Sequence, residues 1–188
     1  MHGLPAALTS FIGREEAVRE VAGLLEEYRL VTVTGPGGAG KTRLAGEVAR
    51  AVAGRFADGV WLAELAPVTD PALVPAVVAA ALGVREQPGV RAEEALPRVM
   101  ARQQLMLVLD NCEHVIGAAA ELCAGLLAAC DDVRVLATSR EPLAVAGKGG
   151  TGWGRCPCLT WMTRPTPAAR RRWRCLPTGP ARRMRISC

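Results

Sequence analysis

Between Gly35 and Thr42 the chain reads Gly-Pro-Gly-Gly-Ala-Gly-Lys-Thr, four glycines in six positions followed by a lysine and a hydroxyl residue. The run before it, Leu30 to Thr34, is short and rich in β-branched residues, and Lys41 to about Ala53 reads as a helix. A strand that passes through a glycine turn directly into a helix opens a parallel α/β unit. The rest of the chain continues that alternation. A helix is expected from Arg14 to Glu27, with apolar Ala17, Val18, Val21, Leu24 and Leu25 on one side. Gly59 to Leu65 reads as a second strand. Pro71 to Leu82 is expected to be helical, with Asp70 as its cap and Pro71 in its first turn. Arg91 to Arg102 follows as a helix that Pro97 should kink unless it sits near the start. Leu105 to Asp110 is a continuous apolar run ending in an acid, the pattern of a strand buried on both faces. Glu113 to Cys130 is again helical, and Val133 to Thr138 gives a fourth strand. The expected fold is a three-layer α/β/α P-loop domain with a parallel sheet, incomplete at one edge.

The glycine loop meets the pattern G-x-x-x-x-G-K-[ST] in the context that gives it meaning, after a strand and opening a helix. Glycines at Gly35, Gly37, Gly38 and Gly40 permit backbone angles that turn amide N–H groups inward and bring the chain close to phosphates. The helix beginning at Lys41 adds its positive dipole end. Lys41 is expected to reach the β- and γ-phosphates, and the Thr42 hydroxyl to ligate Mg²⁺. Gly35, Pro36, Gly37, Gly38, Ala39, Gly40, Lys41, Thr42 and Arg43 are therefore the expected contacts to ATP or ADP.

Two further segments point to the same site. Leu105-Met-Leu-Val-Leu-Asp110 has the form of a Walker B strand, which delivers a carboxylate to the edge where ligands bind in open α/β sheets. Asp110 is expected to hold Mg²⁺ through water. Thr138-Ser139-Arg140 ends the fourth strand, where a hydroxyl and a guanidinium can be aimed at a γ-phosphate. The competing reading is that Arg140 merely pairs with Glu141 or caps a helix.

Charge divides the chain in two. Residues 1–147 carry 13 Lys/Arg and 18 Asp/Glu, whereas residues 148–188 carry 10 basic residues and no acidic one. Three of the four tryptophans lie in this second part. It shows neither helical nor strand period and is expected to be irregular and disordered. The seven cysteines are odd in number and irregularly spaced, so neither a disulfide framework nor a metal site is expected from them. No apolar run reaches membrane-spanning length, and the N-terminus does not read as a signal peptide, so a cytoplasmic protein with no membrane partner is the expectation.

Phe11-Ile-Gly-Arg14-Glu15, the phosphate loop, Leu109-Asp-Asn-Cys-Glu-His114 and Ala137-Thr-Ser-Arg-Glu-Pro-Leu143 follow one another in this order. Together they resemble the STAND class of P-loop ATPases, and within it the NB-ARC-like ATPase domain of bacterial transcriptional regulators of the SARP and LuxR type. The resemblance covers about residues 4–147. It implies that Ile12, Gly13 and Arg14 lie near the adenine and ribose, and that Thr138 to Arg140 form a sensor motif. It also implies a sensor strand between the Walker A and Walker B strands. Such proteins act as switches, closed with ADP and self-associating through the ATPase domain with ATP; DNA would be contacted only through a domain supplied elsewhere.

The departures matter as much. Asn111, not a glutamate, follows Asp110. Glu113 is the nearest candidate to activate water, and could equally be a first-turn carboxylate favoured by a helix dipole. Slow hydrolysis is the natural expectation. The catalytic set is thus Lys41, Asp110, Glu113 and Arg140, and His114 reads as a packing or capping residue. The resemblance also implies a further strand, a Gly-x-Pro motif and a winged-helix region after Leu143, none of which is legible there. Two other readings stay open: a small-molecule P-loop kinase, and a nucleic-acid binder acting through the basic, Trp-bearing segment. The abrupt loss of acids predicts that residues 148–188 are a frame-shifted translation. Read one base earlier, codons for Trp173 to Pro180 can spell a family-like segment.

Overall fold

A computed structural model describes Gly3, residues 14–85 and 89–145, and two backbone strands near the C-terminus, Cys158–Met162 and Arg172–Leu176. Helix α1 (Glu15–Glu27) opens with two acids in its first turn, where they complement the helix dipole, and buries Ala17, Val21, Ala22 and Leu25. Strand β1 (Leu30–Thr34) is buried throughout and leads through the glycine loop into α2 (Lys41–Val52). Strand β2 (Val60–Glu64) follows. Asp70 accepts a hydrogen bond from the Ala72 amide at 2.9 Å and starts a 3₁₀ turn, Pro71–Leu73, that feeds α3 (Val74–Ala81). The expected helix over this stretch therefore begins with a tighter turn.

Helix α4 (Ala92–Met100) keeps Pro97 in its interior. Proline has no N–H to offer the carbonyl one turn back. The helix nevertheless buries Leu96 and Met100 completely, and that packing outweighs local propensity. Strand β3 (Met106–Asp110) is buried at all five positions. A 3₁₀ turn, Cys112–His114, separates it from α5 (Ile116–Ala129), and β4 (Arg134–Ser139) follows.

β4 lies between β1 and β3, and all four of these strands run parallel in the order β2-β3-β4-β1. That is the arrangement implied for the sensor strand. Adjacent residues of the sheet feed opposite layers. Val31, Val33, Val108 and Leu136 join the core beneath α1 and α2, while Leu107, Leu109, Val135 and Ala137 join the one beneath α3, α4 and α5. Burial on both faces explains why β3 reads as an unbroken apolar run.

The segment after Lys148 was expected to be irregular, and the sheet to be incomplete at one edge. The structure differs. β5 (Cys158–Met162) runs parallel to β1, pairing Thr32 with Cys158 and Thr34 with Thr160, and β6 (Arg172–Leu176) runs antiparallel to β5. The physical reason is tertiary. The side of β1 away from β4 can pair with a further strand through its backbone, which a five-residue segment with Thr, Trp and Leu can supply without a visible sequence period.

Candidate functional site

Parallel register brings the ends of β1, β3 and β4 to one edge of the sheet. Thr34 is paired with Ser139, Val33 with Thr138 and Leu109 with Ala137, so the glycine loop, Asp110 and Thr138 emerge side by side. The Gly35 amide donates to the Ser139 carbonyl at 3.3 Å and fastens the start of the loop to β4.

Within the loop, Gly38 and Gly40 adopt φ of +73° and +80°, a region that side chains rarely occupy. An added Cβ at residue 40 would also stand 2.8 Å from Arg14 Nη1, so the end of that flexible side chain would have to shift. That guanidinium donates to the Ala39 carbonyl at 3.0 Å. Arg14 therefore braces the turn into α2, a contact that motif order alone did not suggest. Ile12 and Gly13, expected near the adenine, lie outside the described residues.

Lys41 is 9% exposed, and its ammonium donates to the carbonyls of Gly35 at 2.9 Å and Pro36 at 3.2 Å. The ammonium thus lies folded over the loop, partnered by neutral oxygens that phosphate oxygens can replace with stronger, charge-assisted bonds. The Thr42 hydroxyl lies 2.9 and 3.0 Å from the two oxygens of Asp110. Adjacent oxygens around a Mg²⁺ ion, each about 2.0–2.1 Å from it, are spaced by about the same distance. This pair of hard oxygen donors fits the ion.

Asp110, 8% exposed, is held from a second side. Thr138 Oγ1 donates to Asp110 Oδ1 at 2.5 Å and accepts the Asn111 amide at 3.0 Å. The Thr138 hydroxyl is thus committed to the carboxylate and to the backbone beyond it. Asn111 has φ of +65°, the one non-glycine residue with positive φ among those described, and its side chain is turned to His114 Nδ1 at 3.5 Å. His114 Nε2 lies 2.9 Å from the Leu65 carbonyl, the structural role expected of it. Arg140 Nε donates to Glu113 Oε1 at 3.2 Å, and its Nη2 is 3.4 Å from where a Cβ on Gly37 would stand. Its partner is Glu113, in place of the Glu141 pairing weighed from sequence. Sequence reasoning gave no role to Glu64, which register sets opposite Asp110 at the same edge. Only the pairing of β2 with β3 reveals it.

Cys112 lies directly behind this edge. Burial, reinforced by the charges of Asp110 and Glu113, pushes its thiol up to about 12. It is a packed hydrophobe that donates to the Leu109 carbonyl at 3.5 Å. Among the described residues no cluster of His, Cys, Asp and Glu could hold a metal by itself, and no helix is long and apolar enough to cross a membrane.

A family model described as Novel STAND NTPase 1 matches residues 5–145. An uncharacterized protein of Mycobacterium tuberculosis is 39% identical over 164 residues, 87% of this chain and 39% of that protein. A span of that length in a chain of 188 residues ends no earlier than residue 164, so this similarity passes Gly147, where the resemblance was expected to stop. A putative HTH-type transcriptional regulator of the same organism is 45% identical over 125 residues, 66% of this chain and 14% of that protein. The chain thus spans well under half the length of these relatives. Among solved structures, the Aeropyrum pernix ORC2 protein aligns with a TM-score of 0.54 at 17% identity, covering 70% of this chain and 42% of that one. Drosophila ORC bound to DNA aligns with a TM-score of 0.56 at 19% identity, covering 80% and 43%. At those identities the likeness is one of fold.

Proposed function

This chain belongs to the novel STAND NTPase 1 family and carries a P-loop NTPase domain, and on that premise we propose that it is a nucleotide-switch core that binds ATP and ADP with Mg²⁺ and hydrolyses ATP slowly. The observation that carries the reading is the convergence of Lys41, Thr42 and Asp110, with the Thr42 hydroxyl bonded to both oxygens of a carboxylate from another strand. The β- and γ-phosphates displace the Gly35 and Pro36 carbonyls from Lys41. Thr42 and Asp110 would hold Mg²⁺, Asp110 through water, and the ion would supply neutralisation of phosphate charge when bound. In this reading Gly35, Pro36, Gly37, Gly38, Ala39, Gly40 and Arg43 line the phosphates, and the nucleoside role of Ile12, Gly13 and Arg14 is the one that the family resemblance implies. Thr138 acts through Asp110.

In hydrolysis a water oxygen attacks the γ-phosphorus, the bond to the bridging oxygen breaks, and ADP leaves with the electron pair. Glu113 accepts the proton of that water. Because Asn111 occupies the position after Asp110, turnover lies far below the ~10 s⁻¹ of a median enzyme. The NB-ARC-like, SARP- or LuxR-type assignment rests on the motif resemblance, with the HTH-type relative in support. In that setting the domain self-associates in its ATP state, and DNA is contacted by a domain outside this chain. Calorimetric titration with Mg²⁺ and ATP or ADP tests the reading. Lys41→Ala should weaken binding at least tenfold, and equal affinity in wild type and variant would overturn it.

A further inference from the structure

At the mouth of the phosphate loop, one buried oxygen has no hydrogen-bond partner in the protein. The Glu113 side chain is 19% exposed and its Oε2 is buried and unpaired, alone in this among the side-chain atoms of the described residues. A carboxylate oxygen withdrawn from water and left without a donor is unfavourable, so something must hold it there. Its other oxygen, Oε1, accepts from Arg140 Nε at 3.2 Å. The far end of the same guanidinium stands over Gly37, whose added Cβ would lie 3.4 Å from Nη2. One cation therefore reaches both the carboxylate suited to activate water and the loop that cradles phosphates. The Arg140 side chain is 65% exposed, so little packing opposes a change of partner.

Resting on the nucleotide-site reading above, we propose that Arg140 and Glu113 form a latch that a terminal phosphate opens. Without nucleotide, or with a diphosphate, Arg140 holds Glu113 idle. A triphosphate places its γ-phosphate over Gly37, where a more highly charged group competes for the guanidinium and can engage its fork bidentately. Arg140 moves to the phosphate, and Glu113 is released from the ion pair that held its Oε1. Asn111 is no substitute base, since a neutral carboxamide does not take up the proton of water; its side chain turns towards His114. The same contact thus reports the third phosphate and enables its removal, which couples sensing to slow turnover.

The test compares the full chain and its variants in titrations with ADP and with a triphosphate analogue carrying a β,γ-imido bridge, both with Mg²⁺. In Glu113→Gln the competing charge is gone, so the triphosphate should bind about threefold tighter, the scale of a partly exposed ion pair, while ADP affinity stays within about twofold. Arg140→Ala should lose about tenfold for the triphosphate and little for ADP, which is the scale of one charge-assisted bond. Arg140→Lys keeps the charge but not the fork and should shift the same ratio by less. An unchanged triphosphate-to-ADP ratio in Glu113→Gln overturns the latch and leaves the nucleotide site standing. Wild-type protein that binds neither nucleotide overturns the proposed function, and the latch with it.

Discussion

The Thr138 hydroxyl donates to Asp110 at 2.5 Å while accepting the Asn111 amide at 3.0 Å, so one side chain on β4 fixes both the last residue of β3 and the first residue beyond it. Thr42 reaches the same carboxylate from α2. The three elements that must agree for a nucleotide site to exist are tied together at Asp110.

Thr138→Val removes both bonds at nearly constant volume. It leaves the Asn111 amide unpaired and Asp110 with one restraint fewer, so stability should fall by about 1–3 kcal/mol. Denaturant unfolding measures that loss, and Thr138→Ser should restore most of it. Nucleotide affinity in Thr138→Val should also become less dependent on Mg²⁺; a full Mg²⁺ effect would mean that Asp110 needs no such anchoring.

Gly40→Ala meets one obstacle, a φ of +80°; its new methyl would also push aside the flexible end of Arg14, 2.8 Å away. The backbone strain alone is worth about 1–3 kcal/mol. The variant should unfold at lower denaturant and bind ATP at least tenfold more weakly. In Arg14→Ala/Gly40→Ala the contact is gone but the backbone strain stays, so the double variant should recover little affinity. Full recovery would assign the effect to the Arg14 contact instead.

The buried thiol of Cys112 sets an alkaline limit on stability. Its ionisation is raised in the folded state from the usual 9.0 to about 12, so the stabilisation is complete below pH 9 and is lost as pH rises towards about 12. Cys112→Ala should flatten the fall in unfolding free energy across that window. At pH 8 the thiol should resist alkylation in the folded protein and react once unfolded. Rapid labelling of the native chain would show that it is not sequestered.

The basic segment offers a genetic test. The similarity that passes Gly147 in the present frame speaks against a frame shift at that point. If residues 148–188 are nevertheless a frame-shifted translation, the gene read one base earlier after Gly147 continues without stops into sequence more like that of the mycobacterial relatives. An early stop in that frame would show the present reading to be the natural one. β5 makes a second measurement informative: removing residues 148–188 uncovers the β1 edge, so the shortened protein should aggregate more readily yet keep its phosphate loop.

Much of this protein is determined by local sequence. Gly35 to Thr42 admits one kind of loop, and the runs at Leu30 and Leu105 declare their strands because each is short, apolar and bounded by a turn or an acid. Pro97 shows the limit of local rules. It argues for a kink in isolation, yet the burial of Leu96 and Met100 retains the helix around it. The tertiary structure decided what depends on register and approach. Placing β4 between β1 and β3 is what lets Thr138 hold Asp110, and pairing β2 with β3 is what sets Glu64 beside it. Arg14 against Ala39 and Arg140 against Glu113 join residues 25 and 27 positions apart, far beyond any helical or strand period. β5 lies against β1, a pairing that belongs to the sheet and is not legible in either segment alone. Periodicity reports which face a residue turns inward, whereas a site at a sheet edge is made by the order in which strands lie side by side.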